Sequence, residues 1–375
     1  MPTLTIEGCL DRQHRFRERL VALGIDAAFI TDHRDIYYFT GTLLQQWPAC
    51  LMLASDGSSW LAAHTSEGVQ CVEECVTYDS QTFFTNNPDT MRLLNKAVAR
   101  CMDSSRSIRR AGWQAEAMPK LIAATAERFA HVSEWAAVDD MLAEMQSRKD
   151  PDEVDMIRHS IQIDLAAYTA AQAAIEPGVN ELEVLAAGQR AAMLAAGEWV
   201  YHNGDYCSGV IGGPARDRAI ERGELYTIDA QTVYRGYWCD LSRTYSVGGE
   251  PTDLQQSIYA HIAAIQRDVV HLLRPGVRGT EVWRVIDERI REHPALAQEG
   301  YLHHAGHGVG LRAHEGPDLN RDREGILEPG NIVSVEPGGY ADEARYGARL
   351  ENMYLITKTG AQNLSEYPMN LLPQK

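Results

Sequence analysis

Hydrophobic and polar positions alternate in two registers along the chain. Leu10 to Leu23 carries apolar residues at helical spacing among many charges. Ala27 to Thr31 is a short apolar run that predicts a strand, and Asp32-His33-Arg34-Asp35 after it reads as a turn. Ile36 to Thr40 (IYYFT) is β-branched and aromatic and predicts a second strand, ended by Gly41. Ala49 to Ala54 and Ser59 to Ala63 predict two strands joined at Asp56-Gly57. Met91 to Met102 and Trp135 to Met145 predict helices. This first stretch is an α/β domain.

Arg148-Lys149-Asp150-Pro151-Asp152-Glu153 interrupts the pattern, with acidic residues after a proline at a helix start. We place a domain boundary there, giving domains 1–147 and 148–375. A long helix runs from Glu153 towards Ile175, and others cover Glu181 to Ala196, Leu254 to Leu273 and Thr280 to Glu292. Each helix pair is joined through the same tripeptide, Pro177-Gly178-Val179 and Pro275-Gly276-Val277. Two unrelated turns would explain this, but an internal duplication explains it better.

Between and after those helices come apolar strands that carry acids. Glu224 to Val247 holds two β-rich runs about Arg235-Gly236. With that pair at the tip, Tyr234 faces Tyr237, Asp229 faces Ser242 and Asp240 faces Gln231. A loop two residues longer about the same centre keeps this register. Asp229 and Asp240 then share one face as diagonal neighbours, roughly 7–8 Å apart at the backbone. Glu336 ends the run Ile332 to Glu336, and Glu351 lies near the start of Leu350 to Thr357. A carboxylate in an apolar strand needs a partner. A salt bridge to Arg243 or Arg349 would serve Asp229 alone, but four such acids ask for a common cause. Tyr301 to Pro317 places four histidines, His303, His304, His307 and His314, in a glycine-rich run between them. One imidazole and four carboxylates suit a pair of hard or borderline divalent ions.

Charge and cysteine content narrow the function classes. The 375 residues hold 52 acidic against 35 basic side chains, a formal net charge of −17. That disfavours nucleic acid and anionic membrane surfaces as partners. Seven cysteines without a metal-type C-x-x-C pair suggest a reducing compartment. The first twenty residues have no apolar segment of signal-peptide type, and no run reaches a membrane span, so we expect a cytoplasmic protein.

These residues resemble the pita-bread metallopeptidase family, in its prolidase, Xaa-Pro aminopeptidase and creatinase branch. The resemblance covers nearly the whole chain. Arg34 to Gly41 (RDIYYFTG) is similar to the "N-x-x-Y-L-T-G" of the branch's N-terminal domain, and Arg148 to Glu153 to its "K-S-x-E-E" entry. "H-x-x-G-H-G-x-G" is matched by His303 to Gly310, "H-E-x-P" by His314 to Pro317, "I-E-P-G" by Val335 to Gly338, and "R-x-E" by Arg349 to Glu351. The implied fold is α/β (α+β): a creatinase-like α/β domain followed by a pita-bread domain with pseudo-twofold duplication. The implied metal ligands are Asp229, Asp240, His307, Glu336 and Glu351. They would hold two divalent ions, manganese first and cobalt, zinc or iron as alternatives, that activate a water against an amide carbon. The resemblance makes Glu336 the proton shuttle, lets His303 and His314 bind substrate and stabilise the oxyanion, and gives Arg349 the part of orienting Glu351 or Asp240. The implied partners are a small peptide or small-molecule substrate and a second copy of the chain, as a homodimer.

The chain departs from the pattern on the substrate side. Active peptidases of the family carry a histidine before the first aspartate ligand in a "G-x-N-x-x-x-P-H" context. Residues 209–224 (GVIGGPARDRAIERGE) contain none, and His202 lies earlier. Arg216 and Arg218 stand in that region and are candidates to bind a substrate carboxylate. Trp47, after Gln45-Gln46, is a candidate to line the pocket of a dimer partner. Xaa-Pro dipeptidase or aminopeptidase activity is the first expectation. The alternative is non-peptide chemistry on the same fold, as in creatinase, ectoine hydrolase or a dimethylsulfoniopropionate lyase.

Overall fold

The computed structural model describes residues 1–44, 47–79, 89–102 and 107–374; Gln45 and Gln46 lie outside them. Two compact units result, Thr3–Met145 and Gln146–Lys375, the second also holding Met1–Pro2.

In the first unit the chain runs α1 (Ile6–Ala22), β1 (Ala27–Ile30), α2 (His33–Thr40), β2 (Cys50–Ala54), β3 (Ser59–Ala63), β4 (Glu74–Thr77), α3 (Thr90–Cys101), β5 (Arg110–Trp113), α4 (Lys120–Phe129), β6 (Glu134–Ala137) and α5 (Asp139–Ser147). Among the described residues the strands form one mixed sheet in the order β4-β3-β2-β1-β5-β6. Two expectations change here. IYYFT is helical, not extended: the Asp32 side chain accepts from Arg34 N–H at 2.8 Å and caps the helix, and Gly41 stops it in the left-handed region. Cap and stop outweigh the strand preference of the aromatics, which the helix buries instead. The single helix expected over Trp135 to Met145 is split. Trp135 sits in β6, parallel to β5, packed on Trp113 at 5.6 Å and Phe29 at 5.9 Å, and the helix restarts at Asp139.

In the second unit the order is α6 (Pro151–Ala173), α7 (Glu181–Ala196), β7 (Tyr201–Ser208), β8 (Leu225–Tyr234), β9 (Tyr237–Trp238), β10 (Leu241–Ser246), α8 (Asp253–Asp268), α9 (Gly279–Ile290), β11 (Gly306–Gly308), β12 (Glu315–Leu319), β13 (Ile332–Val335), β14 (Gly338–Gly339), β15 (Ala348–Arg349), β16 (Asn352–Ile356) and β17 (Ala361–Asn363). One sheet runs β10-β8-β7, with β9 on β8, a second runs β12-β11-β13-β16-β17, and β14 pairs with β15.

The two halves repeat one joint. In the first, Gly178 N–H donates to Ile220 O at 2.8 Å, Ile220 N–H to Val179 O at 2.8 Å, and Glu181 N–H to Arg218 O at 3.1 Å. In the second, Gly276 N–H donates to Leu327 O at 2.8 Å, Leu327 N–H to Val277 O at 2.9 Å, and Gly279 N–H to Gly325 O at 2.7 Å. The repeated tripeptide is therefore a helix joint that receives a returning segment of chain in the same way twice, the mark of a duplicated unit.

Candidate metal centre

The β8–β10 hairpin turns at Arg235 and Gly236, both at positive φ (48° and 89°), as a two-residue primed turn requires. Glu198 holds Arg235 in this unusual conformation through two bonds of 3.0 Å. The register is Tyr234 opposite Tyr237 and Asp229 opposite Ser242. Gln231, across from Asp240, donates its side-chain amide to Asp240 Oδ2 at 3.0 Å. Ser242 also bridges to Glu351, whose N–H donates to Ser242 O at 3.0 Å. This bridge joins the two sheets and brings Glu351 beside the aspartates. The buried Arg243 guanidinium locks it, donating to Ser242 O at 2.8 Å and Glu351 O at 2.6 Å.

The second sheet delivers the other donors. His307 is the middle residue of β11, and Glu336 directly follows β13, its N–H donating to Ala305 O at 3.0 Å. β11 passes very close to its neighbour: a Cβ on Gly306 (φ 150°) would lie 1.9 Å from Ser334 O. Gly306→Ala should therefore cost about 3 kcal/mol or more of stability, through strain and overpacking. A urea unfolding curve reads this as a lower midpoint; an unchanged midpoint would contradict the packing described.

All five residues line one cavity of about 280 Å³, together with His303, His304, His314, Arg349, Gln231, Ile211 and Gly212. His307 Nε2 is 3.7 Å from Asp240 Oδ2 and 3.9 Å from Glu336 Oε1. Its Nδ1 is 3.0 Å from Gly308 O, which accepts the Nδ1–H and leaves Nε2 an acceptor facing the acids, 3.1 Å from Ser334 Oγ. Burial pushes the carboxyls of Asp229, Asp240, Glu336 and Glu351 upward; repulsion from neighbouring acids adds to it, from Asp205 at Asp229 and from within the set at the other three, and Arg349 opposes the rise at Asp229, Glu336 and Glu351. Burial also drives His307 down to about 3, with His314 adding to the shift, so its imidazole stays neutral.

The donors fit a metal better than they fit one another. Asp229 Oδ1, Asp240 Oδ1 and both Glu351 side-chain oxygens are buried without a hydrogen-bond partner. Four acids in one cavity with orphaned oxygens leave a large uncompensated cost. Divalent cations would remove that cost, and neutral Nε2 and carboxylate oxygens are the atoms they select. Three overlapping donor sets, each with atoms within 4.8 Å, occur among the described residues: Asp229, Glu336 and Glu351; Asp240, His307 and His314; and His304, His307 and Glu336.

Around the donors, Trp283 Nε1–H donates to His303 O at 2.8 Å, and His303 Nε2 lies 2.9 Å from Tyr340 Oη. Arg349 was expected on Glu351 or Asp240. Instead it bridges Asp229, at 2.8 Å, and Asp205, at 2.5 Å. Asp205 is the cross-strand partner of Asp229 on β7. Arg349→Lys keeps the charge but cannot span both carboxylates. It should weaken metal affinity about 10–100-fold, as isothermal calorimetry would measure; unchanged affinity would show that the bridge does not orient Asp229.

Residues 155–358 match the model of metallopeptidase family M24, and residues 12–146 that of the creatinase/prolidase N-terminal domain. The chain belongs to metallopeptidase family M24. It is a metallohydrolase. The chain is 31% identical over 246 residues to the Xaa-Pro dipeptidase of Pyrococcus furiosus, covering 64% of this chain and 70% of that protein. It is 24% identical over 388 residues to a creatinase from a Bacillus species, covering 98% of this chain and 92% of the other. The prolidase structure from Pyrococcus horikoshii OT3 superposes with a TM-score of 0.77 over 96% of this chain and 100% of that one, at 24% identity, a likeness of fold.

Against that family pattern the substrate side differs. Ile211 and Gly212 line the cavity from the 209–224 segment. Arg216 and Arg218 do not line it. Arg216 is bonded to buried Glu181 at 2.9 and 2.5 Å, and Arg218 to Glu224 at 3.0 Å and Ser208 Oγ at 3.0 Å. A guanidinium satisfied by buried acids has no need of a substrate carboxylate. His202 is also engaged elsewhere, with Thr232 Oγ1 at 2.8 Å and Tyr206 Oη at 2.6 Å. Trp47 belongs to the first unit, where its ring lies 6.1 Å from His64. Asp205, His304 and Gln231 are the site residues that motif reading passed over. Asp205 enters through its strand pairing with Asp229, which the run Tyr201 to Ser208 does not announce.

No helix among the described residues is long and apolar enough to cross a membrane.

Proposed function

We propose that the chain is a dinuclear-metal-dependent Xaa-Pro peptidase, a dipeptidase or aminopeptidase, with its chemistry in residues 148–375. The convergence of Asp229, Asp240, His307, Glu336 and Glu351, with four oxygens lacking any partner, carries the reading. Two divalent ions held by these five residues, manganese by preference, would supply Lewis-acid polarisation and lower the pKa of a water. Glu336 takes the proton of the attacking water and hands it to the departing nitrogen. Its position supports this, with its carboxylate 3.2 Å from His304 Nδ1 and its backbone oxygen held by Tyr301 Oη–H at 2.9 Å. His303 and His314, on the cavity wall, bind the substrate carbonyl and stabilise its developing charge. Arg349 keeps Asp229 oriented. The substrate is a small peptide, and a cytoplasmic homodimer is part of the same proposal.

A second reading has its own support. The cavity wall built by residues 209–224 offers Ile211 and Gly212 and no imidazole, and the relatives include a creatinase. That favours a small non-peptide substrate with a C–N bond. A panel of Xaa-Pro dipeptides and tripeptides with manganese-reconstituted protein separates the two. We expect turnover of Xaa-Pro bonds and none of Xaa-Ala controls. Absence of turnover with metal bound would give the site to the non-peptide reading.

A further inference from the structure

His304 stands in the cavity beside the five donors and outside the family's ligand pattern. Its Nδ1 is buried, has no hydrogen-bond partner, and lies 3.2 Å from Glu336 Oε1. The same oxygen is 3.9 Å from His307 Nε2. The two imidazoles meet edge to face, with centroids 5.4 Å apart. All three donor atoms lie within 4.8 Å of one another. Donors on one ion, with bonds of about 2.0–2.2 Å, are spaced roughly 3–4 Å apart. A histidine present only for packing would have its ring nitrogens satisfied or in water, and this Nδ1 has neither arrangement.

We propose that His304 is an additional metal ligand, giving one metal position two imidazoles, from His304 and His307, beside the Glu336 carboxylate. The inference rests on the reading that this cavity holds divalent ions. Extra nitrogen donation favours zinc, cobalt or iron over manganese, which prefers oxygen. His304 would thereby make the resident metal of this chain differ from the manganese that the five-donor pattern alone suggests. It also places an imidazole on the Glu336 side of a cavity that has none from residues 209–224.

The test uses full-length protein loaded with cobalt(II) and read by proton NMR, where each coordinated imidazole N–H gives a shifted exchangeable resonance. His304→Gln should remove one such resonance. Calorimetry with zinc should show one site weakened about 10–100-fold, and the manganese isotherm should change less than about threefold. X-ray absorption of wild-type protein with two zinc ions bound needs no variant and should count about one imidazole per zinc; about half of one is the five-donor expectation. An unchanged resonance count, an unchanged zinc isotherm or the lower imidazole count would each overturn the proposal. Failure of wild-type protein to bind cobalt or zinc would remove the metal reading itself, a result distinct from binding without His304.

Discussion

Glu336→Gln should lower turnover by about three orders of magnitude or more while leaving the protein folded. The expectation adds two losses. Glutamine keeps a neutral oxygen where Glu336 now stands but removes the charge that offsets a cation. It also removes the carboxylate that sits against both His303, at 3.7 Å, and His304, at 3.2 Å. General acid–base participation is ordinarily worth about 10²–10⁴ in rate, and weakened cation binding adds to that. Glu336→Asp separates the two losses. It keeps the charge and retracts it by one methylene, and a misplacement of about 1 Å costs roughly 100-fold. The expected order is therefore wild type, then aspartate, then glutamine, with the glutamine variant still melting cooperatively. Turnover by Glu336→Gln within tenfold of wild type would remove Glu336 from the proton path.

How much of this was legible beforehand follows from what each feature depends on. The Asp229–Asp240 pairing could be read because a hairpin centred on one turn fixes every cross-strand partner, and side chains alternate strictly. The joints at Pro177-Gly178-Val179 and Pro275-Gly276-Val277 were legible because a repeated tripeptide leaves the same backbone groups to be satisfied. Asp205 was not. Tyr201 to Ser208 mixes glycine, asparagine and histidine and shows no alternation, yet pairing with β8 makes it a strand. The charges of Arg216 and Arg218 were visible but their direction was not. The buried partner of Arg216, Glu181, stands 35 residues earlier, at the start of α7. Nothing local announces such a pairing. IYYFT failed for the opposite reason, since a local cap at Asp32 overrode a real strand preference. His304 was read as one of four neighbouring histidines. Only the turn of the backbone between Tyr301 and Ala305 decides that it faces Glu336.

Metal should raise the melting temperature, and more at pH 8 than at pH 6. In the metal-free fold, burial holds the carboxyls of Asp229, Asp240, Glu336 and Glu351 above their ordinary range. Each therefore binds its proton more tightly folded than unfolded. The stability that this contributes is fully present below the unfolded value near pH 4 and is lost as pH rises through the raised values. His303 and His307 act in the opposite sense. Burial lowers both to about 3, so their contribution is present above roughly pH 6.5 and lost as pH falls from there towards 3. Above about pH 6.5 the histidines no longer matter, and only the carboxyl penalty still changes. Divalent cations need those carboxylates ionised, so loading relieves the penalty and displaces protons. Each proton released on binding increases the advantage of the loaded form by about 1.4 kcal/mol per pH unit. Metal at a hundred times its dissociation constant adds about 2.7 kcal/mol, or roughly 3–4 °C in a chain of this size. Scanning calorimetry of chelated and reloaded protein at both pH values measures the increment. An equal melting temperature with and without metal would mean that the four acids have found some other compensation. A gain no larger at pH 8 than at pH 6 would mean that they are already ionised in the metal-free fold.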